Sequence, residues 1–257
     1  MSQRVDLNAD MGESFGPWKM GDDVTLLDVV SSANIACGFH AGDPDVMAQT
    51  IADAHYRGVG IGAHPGFADL QGFGRYRMSL PHNSLANLVR YQVGAAMGMA
   101  AAVGATVRHT KLHGALANMA SEDKEMALTC YRAVLSVAPD SIIMVLAGTA
   151  QEHAVRELGC AAACEIFADR AYNDDATLVD RRKPGATIHD PKVASERMVQ
   201  MVKESAIITE SGKRIPTRID TICVHGDSAA AVAIAKATRA ALENAGLTVQ
   251  KFDARPL

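Results

Sequence analysis

Four histidines, a lysine and a group of acids fall where short apolar runs give way to loops. His64, His113 and His225 each close such a run, His40 lies just beyond another, and Lys111 precedes His113 by two residues. Imidazoles supply acid–base groups or metal ligands, and a lysine offers a cation to a carboxylate, a phosphate or a developing oxyanion. Asp6, Asn8, Asp10 and Glu13 add bases or ligands near the amino end, and this mixture of acids and histidines suits a divalent ion such as zinc. No His-Glu-x-x-His motif occurs, and the ligand set Asp10, His40 and His64 rests on residue type alone. Cys37 and Cys223 read as small buried fillers.

Alternating elements must position these side chains. The patterning predicts strands over 4–9, 33–37, 59–63, 105–112, 141–147, 163–168 and 220–224, and helices over 22–32, 44–57, 84–103, 121–138, 149–158, 190–204 and 227–245. Asp43-Pro44 places a capping acid before a first-turn proline, Ser121 reads as another start, and Gly58, Gly104, Gly159 and Gly246 sit where helices should stop. Seven β–α repeats without a composition shift imply one parallel-sheet domain over 1–257.

The strands depart from ordinary buried ones. Side chains two apart share a face, which groups Asp6, Asn8 and Asp10; His109, Lys111 and His113; Glu165, Phe167 and Asp169; and Thr221, Cys223, His225 and Asp227. Val5, Leu7, Ala9, Ile166, Ile222 and Val224 face the other way. An open sheet covered by helices would bury those acids and imidazoles at several kcal/mol each if unpaired, on the order of what apolar transfer exacts. An irregular β/α barrel of about seven parallel strands explains the pattern, with the polar face lining a lumen and the site at the carboxyl-terminal rim.

Other classes are disfavoured. Net charge is −4 and no basic stripe carries interleaved aromatics, which argues against nucleic acid. The longest uncharged run, 93–107, is too short and alanine-rich to span a bilayer. No apolar signal region precedes the first strand, and five cysteines, an odd number with no Cys-x-x-Cys pair, suit a reduced cytoplasmic protein. Two long loops, 65–81 and 169–190, are expected to be functional. The first is rich in glycine but lacks a P-loop, and its Arg75 and Arg77 are expected to clamp an anion, as are Arg181, Arg182 and Lys183 if the second folds over the rim.

The stretches DLNADMGESFG (6–16), SANIACGFHAGDP (32–44), GAHPGFADLQGFGR (62–75), KLHGALAN (111–118), EIFADRAY (165–172) and CVHGD (223–227) resemble the LamB/YcsF family along nearly the whole chain. The resemblance implies a barrel similar to glycoside hydrolase/deacetylase barrels. It implies the role of the A component in a bacterial ATP-dependent 5-oxoprolinase, which converts 5-oxo-L-proline to L-glutamate with ADP and phosphate. Two partner subunits resembling the halves of an allophanate or urea-amide hydrolase are implied with it. This chain departs from the family pattern at Leu112, usually proline, at Ala117, usually tyrosine, and at Tyr76, usually arginine; the second change enlarges a pocket wall.

On that reading ATP is a cosubstrate that activates the amide oxygen. Lys111 and a loop arginine hold the phosphate or negative charge, Asp10 or His113 activates water, and His225 with Asp227 serves the leaving nitrogen. Asn8, Asn34, His40, His64, Arg75, Glu165 and Asp169 are the expected substrate contacts. Lys111→Ala and His113→Ala are expected to fold normally and lose turnover. Two rivals remain, a stand-alone metal-dependent deacetylase and a non-catalytic lactam-binding subunit, and the assembly state, including a homo-oligomer, is open.

Overall fold

The computed structural model describes residues 3–226 and 230–257. Seven parallel strands close into a barrel in the order β1 (Arg4–Met11), β2 (Ser32–Ala36), β3 (Gly60–His64), β4 (His109–Lys111), β5 (Ile142–Leu146), β6 (Ala162–Phe167) and β9 (Thr221–Val224). β1 pairs with β2 on one side and β9 on the other, so no edge is left between them. An antiparallel hairpin, β7 (Ala206–Ile208) with β8 (Arg214–Pro216), lies outside the ring, and β10 (Thr248–Val249) joins the start of β1. The helices are α1 (Asp23–Leu27), α2 (Pro44–Tyr56), α3 (His82–Ala102), α4 (Gly114–Glu122), α5 (Lys124–Val137), α6 (Ala150–Leu158), α7 (Pro191–Glu204) and α8 (Ala231–Asn244).

The outward strand faces make the main core. Leu7, Ile35, Ile143, Val145, Ile166 and Ile222 are fully buried in one cluster with Ile51, Val89, Val134, Met198 and Ile234 of the helices. Each such side chain contributes about 1.5–3 kcal/mol by leaving water. The lumen is polar along most of its length, with an apolar plug at its amino-terminal end. There Phe252 packs with Ile142, Met144 and Ala163, under the Arg108 guanidinium at 4.5 Å.

Local chemistry explains the boundaries. Asp43 accepts hydrogen bonds from the amides of Asp45 and Val46, both at 2.9 Å, ahead of Pro44; such a cap is worth about 1 kcal/mol. Gly58, Gly104, Gly159 and Gly246 all take positive φ, as helix stops require. The helix expected over 22–32 is only α1, because the chain must turn to enter β2 at Ser32. The strand expected over 105–112 narrows to β4, and α4 follows it unannounced. His113 sits at the N-cap of α4 without a side-chain cap, Ser121 falls in its last turn, and Asp123 caps α5 instead. The β7–β8 hairpin was not expected either; its turn uses Gly212 at φ +84°.

Among the described residues no helix is long and apolar enough to cross a membrane, and the five cysteines are unpaired.

Candidate active site

The lumen is layered. Lowest of its acids is Asp6, which accepts hydrogen bonds from Ser31 and Ser32 at 2.6 and 2.7 Å and from Thr221 at 2.5 Å. Burial nevertheless pushes its carboxyl up to about 6. One step higher, the Asn8 amide donates to Thr221 and the Asn34 amide donates to both Asn8 and Asp10. His109 contacts Asn34 Oδ1 at 2.8 Å, and burial, with Arg108 and Lys111 nearby, depresses its ring to about 3. Gly62 makes room for that ring, since a Cβ there would fall 2.1 Å from His109 Nε2.

Lys111 is the centre of the next layer. Its ammonium is buried and lies 2.9 Å from Asp10 Oδ1, 2.9 Å from Glu165 Oε1 and 3.0 Å from Cys223 Sγ. Burial alone would discharge it, but Asp10, Cys223 and Glu165 outweigh that and hold the amine charged well above the ordinary range. Asp10 is held well below the carboxylate range by His64 and Lys111, which together overcome its burial. Glu165 goes the other way: burial raises it despite Lys111. One carboxylate is thus a fixed anion, and its neighbour is the more readily protonated acid.

At the rim stands an imidazole cluster. His64 Nδ1 is 2.8 Å from the Lys111 carbonyl, and its Nε2 is 3.1 Å from His113 Nδ1 and 3.4 Å from Asp10 Oδ2. His113 Nε2 is 2.8 Å from the Phe73 carbonyl. His40 stacks on His113 with centroids 3.6 Å apart, and Glu13 Oε1 lies 3.8 Å from His40 Nε2 and 3.9 Å from His113 Nδ1. Among the described residues, Glu13, His40, His64 and His113, all buried, form a group that could hold a metal ion. Asp10, expected in that role, has one oxygen engaged by Lys111 and Asn34.

Beyond the cluster, His225 Nδ1 meets both carboxylate oxygens of Asp169, at 2.8 and 2.9 Å, and Phe167 stacks on the ring. Burial would raise Asp169, but His225 outweighs it and lowers the carboxyl, with Arg181 and Arg170 assisting. Asp227, named with His225 from the sequence, lies outside the described residues. Segment 169–190 is ordered against the barrel. Arg170 is buried and bonds the Val179 and Ala186 carbonyls, while the Phe167 amide donates to the Tyr172 hydroxyl. A small cavity beneath it is lined by Lys111, Glu165, Phe167, Leu178, Ala117 and Asn118. A larger cavity of about 440 Å³, beside Arg57 and Lys251, lies at the opposite end of the barrel, away from this chemistry.

Not every expected anion clamp is present. Arg77 forks onto Glu122 at 2.6 and 3.0 Å, and Arg182 is exposed and paired to Asp180. Arg75 lies over the Phe73 ring at 4.8 Å. The glycine-rich loop serves another purpose. A Cβ at Gly66 would fall 2.7 Å from His40 Nδ1, and one at Gly74 would fall 2.6 Å from His40 Cβ and 2.8 Å from His113 Cδ2. These glycines let the loop lie flat on the two rings. Gln92 was missed: from the middle of α3 its buried amide accepts from the Gly66 amide at 3.0 Å and donates to the Gly66 carbonyl at 2.8 Å. A glutamine on an apolar helix face was its only signal.

A closed parallel β/α barrel with an ionisable lumen and a histidine-rich carboxyl-terminal rim has the architecture of the deacetylase-like barrels. The catalytic domain of a peptidoglycan N-acetylglucosamine deacetylase from Eubacterium rectale superposes with a TM-score of 0.55 over 98% of this chain and 90% of that one, at 13% identity, a likeness of fold alone. The sequence pattern of the LamB/YcsF family matches residues 5–256, and the chain belongs to that family. It is similar to the A component of a 5-oxoprolinase from Ruegeria pomeroyi, with 69% identity over 97% of this chain and 99% of the relative. It is also similar to the crystal structure of a lactam utilization protein from Thermus thermophilus, with a TM-score of 0.90 and 41% identity over 97% of this chain and all of that one.

Proposed function

We propose that this chain is the lactam-opening subunit of an ATP-dependent 5-oxoprolinase, acting with partner subunits to convert 5-oxo-L-proline to L-glutamate. One observation carries the reading: the Lys111 ammonium, fixed between Asp10 and Glu165, lines the same cavity as the apolar Leu112, Leu146 and Leu178 and the amide of Asn118. A small ring with two methylene groups, an amide and a carboxylate matches that mixture in chemistry, and the cavity, about 20 Å³ in this structure, must widen to admit it. The relatives' names support it.

The lactam C–N bond is an unstrained amide and resists water. Transfer of the ATP γ-phosphoryl group to the amide oxygen, with release of ADP, makes that carbon electrophilic. Water then adds to it, the C–N bond breaks as the nitrogen takes a proton, and a second water releases phosphate from the acyl phosphate. Lys111 stabilises negative charge on the oxygen. His225, oriented through Nδ1 by Asp169, donates the proton to the nitrogen from Nε2. The low-lying Asp10 carboxylate is a poor base and serves as the counter-ion of Lys111. With no P-loop in the chain, a partner subunit holds the nucleotide, and its phosphates approach the rim near Arg75.

Calorimetry with 5-oxoproline, proline and glutamate tests the recognition step. The lactam should bind in preference to proline, which lacks the carbonyl. Equal binding of lactam and proline would remove the chamber as the lactam site.

A further inference from the structure

We propose that Glu13, His40, His64 and His113 bind one divalent transition-metal ion of the zinc class, at a site that adjoins the Lys111 chamber through Asp10. The argument starts from protons. A backbone carbonyl only accepts, so His64 Nδ1, 2.8 Å from the Lys111 carbonyl, carries a hydrogen. His113 Nε2, 2.8 Å from the Phe73 carbonyl, does too. In neutral rings the remaining nitrogens, His64 Nε2 and His113 Nδ1, each present a lone pair, and they face one another at 3.1 Å. Two lone pairs at that distance repel unless a cation stands beside them.

A shared proton would satisfy this pair, with Asp10 Oδ2 at 3.4 Å from His64 Nε2 as its counter-ion, but it leaves His40 unaccounted for. His40 has no exposed surface, and neither of its ring nitrogens makes a hydrogen bond. Its Nε2 points at Glu13 Oε1, which also faces His113 Nδ1, and the four ligand atoms all lie within 4.8 Å of one another. An ion with several coordination positions would satisfy the His40 nitrogen together with the facing His64–His113 pair. Nitrogens bound at about 2.0–2.1 Å to a tetrahedral ion stand about 3.4 Å apart, close to the His64–His113 spacing. Three imidazoles and one carboxylate favour zinc and its first-row neighbours over magnesium or calcium, which take oxygen ligands. The Lys111 and Phe73 carbonyls are the outer partners that fix ligand tautomers in such sites.

Gln92 extends this support, because its clamp on Gly66 holds the loop that covers His40. A bound ion would polarise a carbonyl or acidify a water at the mouth of the lumen.

The test needs no substrate, ATP or partner, so its result is independent of the proposed reaction. Chelator-stripped protein is titrated with Co²⁺ and read by visible absorption, and freshly purified protein is assayed for metal content. The expected result is one Co²⁺ per chain with tetrahedral bands, and about one zinc-class ion per chain as purified. His40→Ala should weaken Co²⁺ binding by more than the about 10–100-fold typical of an outer partner. Glu13→Gln keeps the shape of the loop and should shift the spectrum as well as the affinity, which covers the case in which His40→Ala fails to fold. Binding far below one equivalent at micromolar Co²⁺ in wild type would overturn the site and leave a shared His64–His113 proton. Unchanged binding in both variants would overturn it as an adventitious ion only.

Discussion

Replacing Lys111 by methionine tests the electrostatic centre of the barrel. The side chain keeps most of its volume and loses its charge, which leaves Asp10 and Glu165 buried together with no cation. Removing one partner of a buried ion pair typically costs about 3–5 kcal/mol. At about 2–4 °C per kcal/mol for a chain of this size, the melting temperature should fall by about 6–20 °C at pH 7. The pH dependence gives a second reading. In wild type Asp10 is held below its unfolded value, so its contribution is present above about pH 4 and lost as the pH falls below that. Without Lys111 both carboxyls should titrate above their unfolded values, so the variant should gain stability as the pH falls from 7 to about 5, and the gap should narrow. Asp10→Asn in the Lys111→Met background should restore part of the loss. Urea unfolding of these three proteins at pH 5 and 7 measures all of this. A variant within 1 kcal/mol of wild type, or a gap that ignores pH, would refute the buried pair. Lys111→Ala, expected from the sequence to fold normally, should be destabilised for the same reason, because the lysine is the counter-ion of the lumen.

Asp6, raised to about 6, retains a proton in the folded chain between about pH 4 and 6; its contribution is full below about 4 and is lost, by about 3 kcal/mol, as the pH rises through 6. Wild type should therefore gain on Asp6→Asn between pH 7 and 4.5 in urea unfolding, and a constant difference would contradict this. Gly74→Ala should destabilise by about 1–3 kcal/mol, because φ is +63° and the new Cβ meets His40 and His113. Gly16→Ala, with φ +51° and open space around it, should lose less, and equal losses would show that the rings are not tightly covered.

Much of the barrel was legible because its lumen violates the usual burial pattern. Acids and amides at alternate positions of β1 and imidazoles at strand ends make sense only if one sheet face is enclosed and polar, and the observed Asp6–Asn8–Asp10 column follows. The cap at Asp43 was equally plain, because it depends on four adjacent residues. What escaped notice was set by distant partners or weak local signals. Helix α4 starts on His113 and Gly114, neither of which announces a helix, so its existence depends on the Gly74 carbonyl that accepts from the Ala115 amide. Arg77 looked like an anion clamp until Glu122, 45 residues on, claimed it. Glu13 lies three residues past Asp10, and only the fold shows which of them faces the histidines.

The most direct measurement is glutamate release from 5-oxoproline and ATP by this chain combined with its partner subunits, with each component omitted in turn. The account predicts glutamate and phosphate in equal amounts only when the chain, the partners and ATP are all present, and its near-complete loss with His225→Gln. Undiminished turnover without this chain, or glutamate release that does not need ATP, would contradict it.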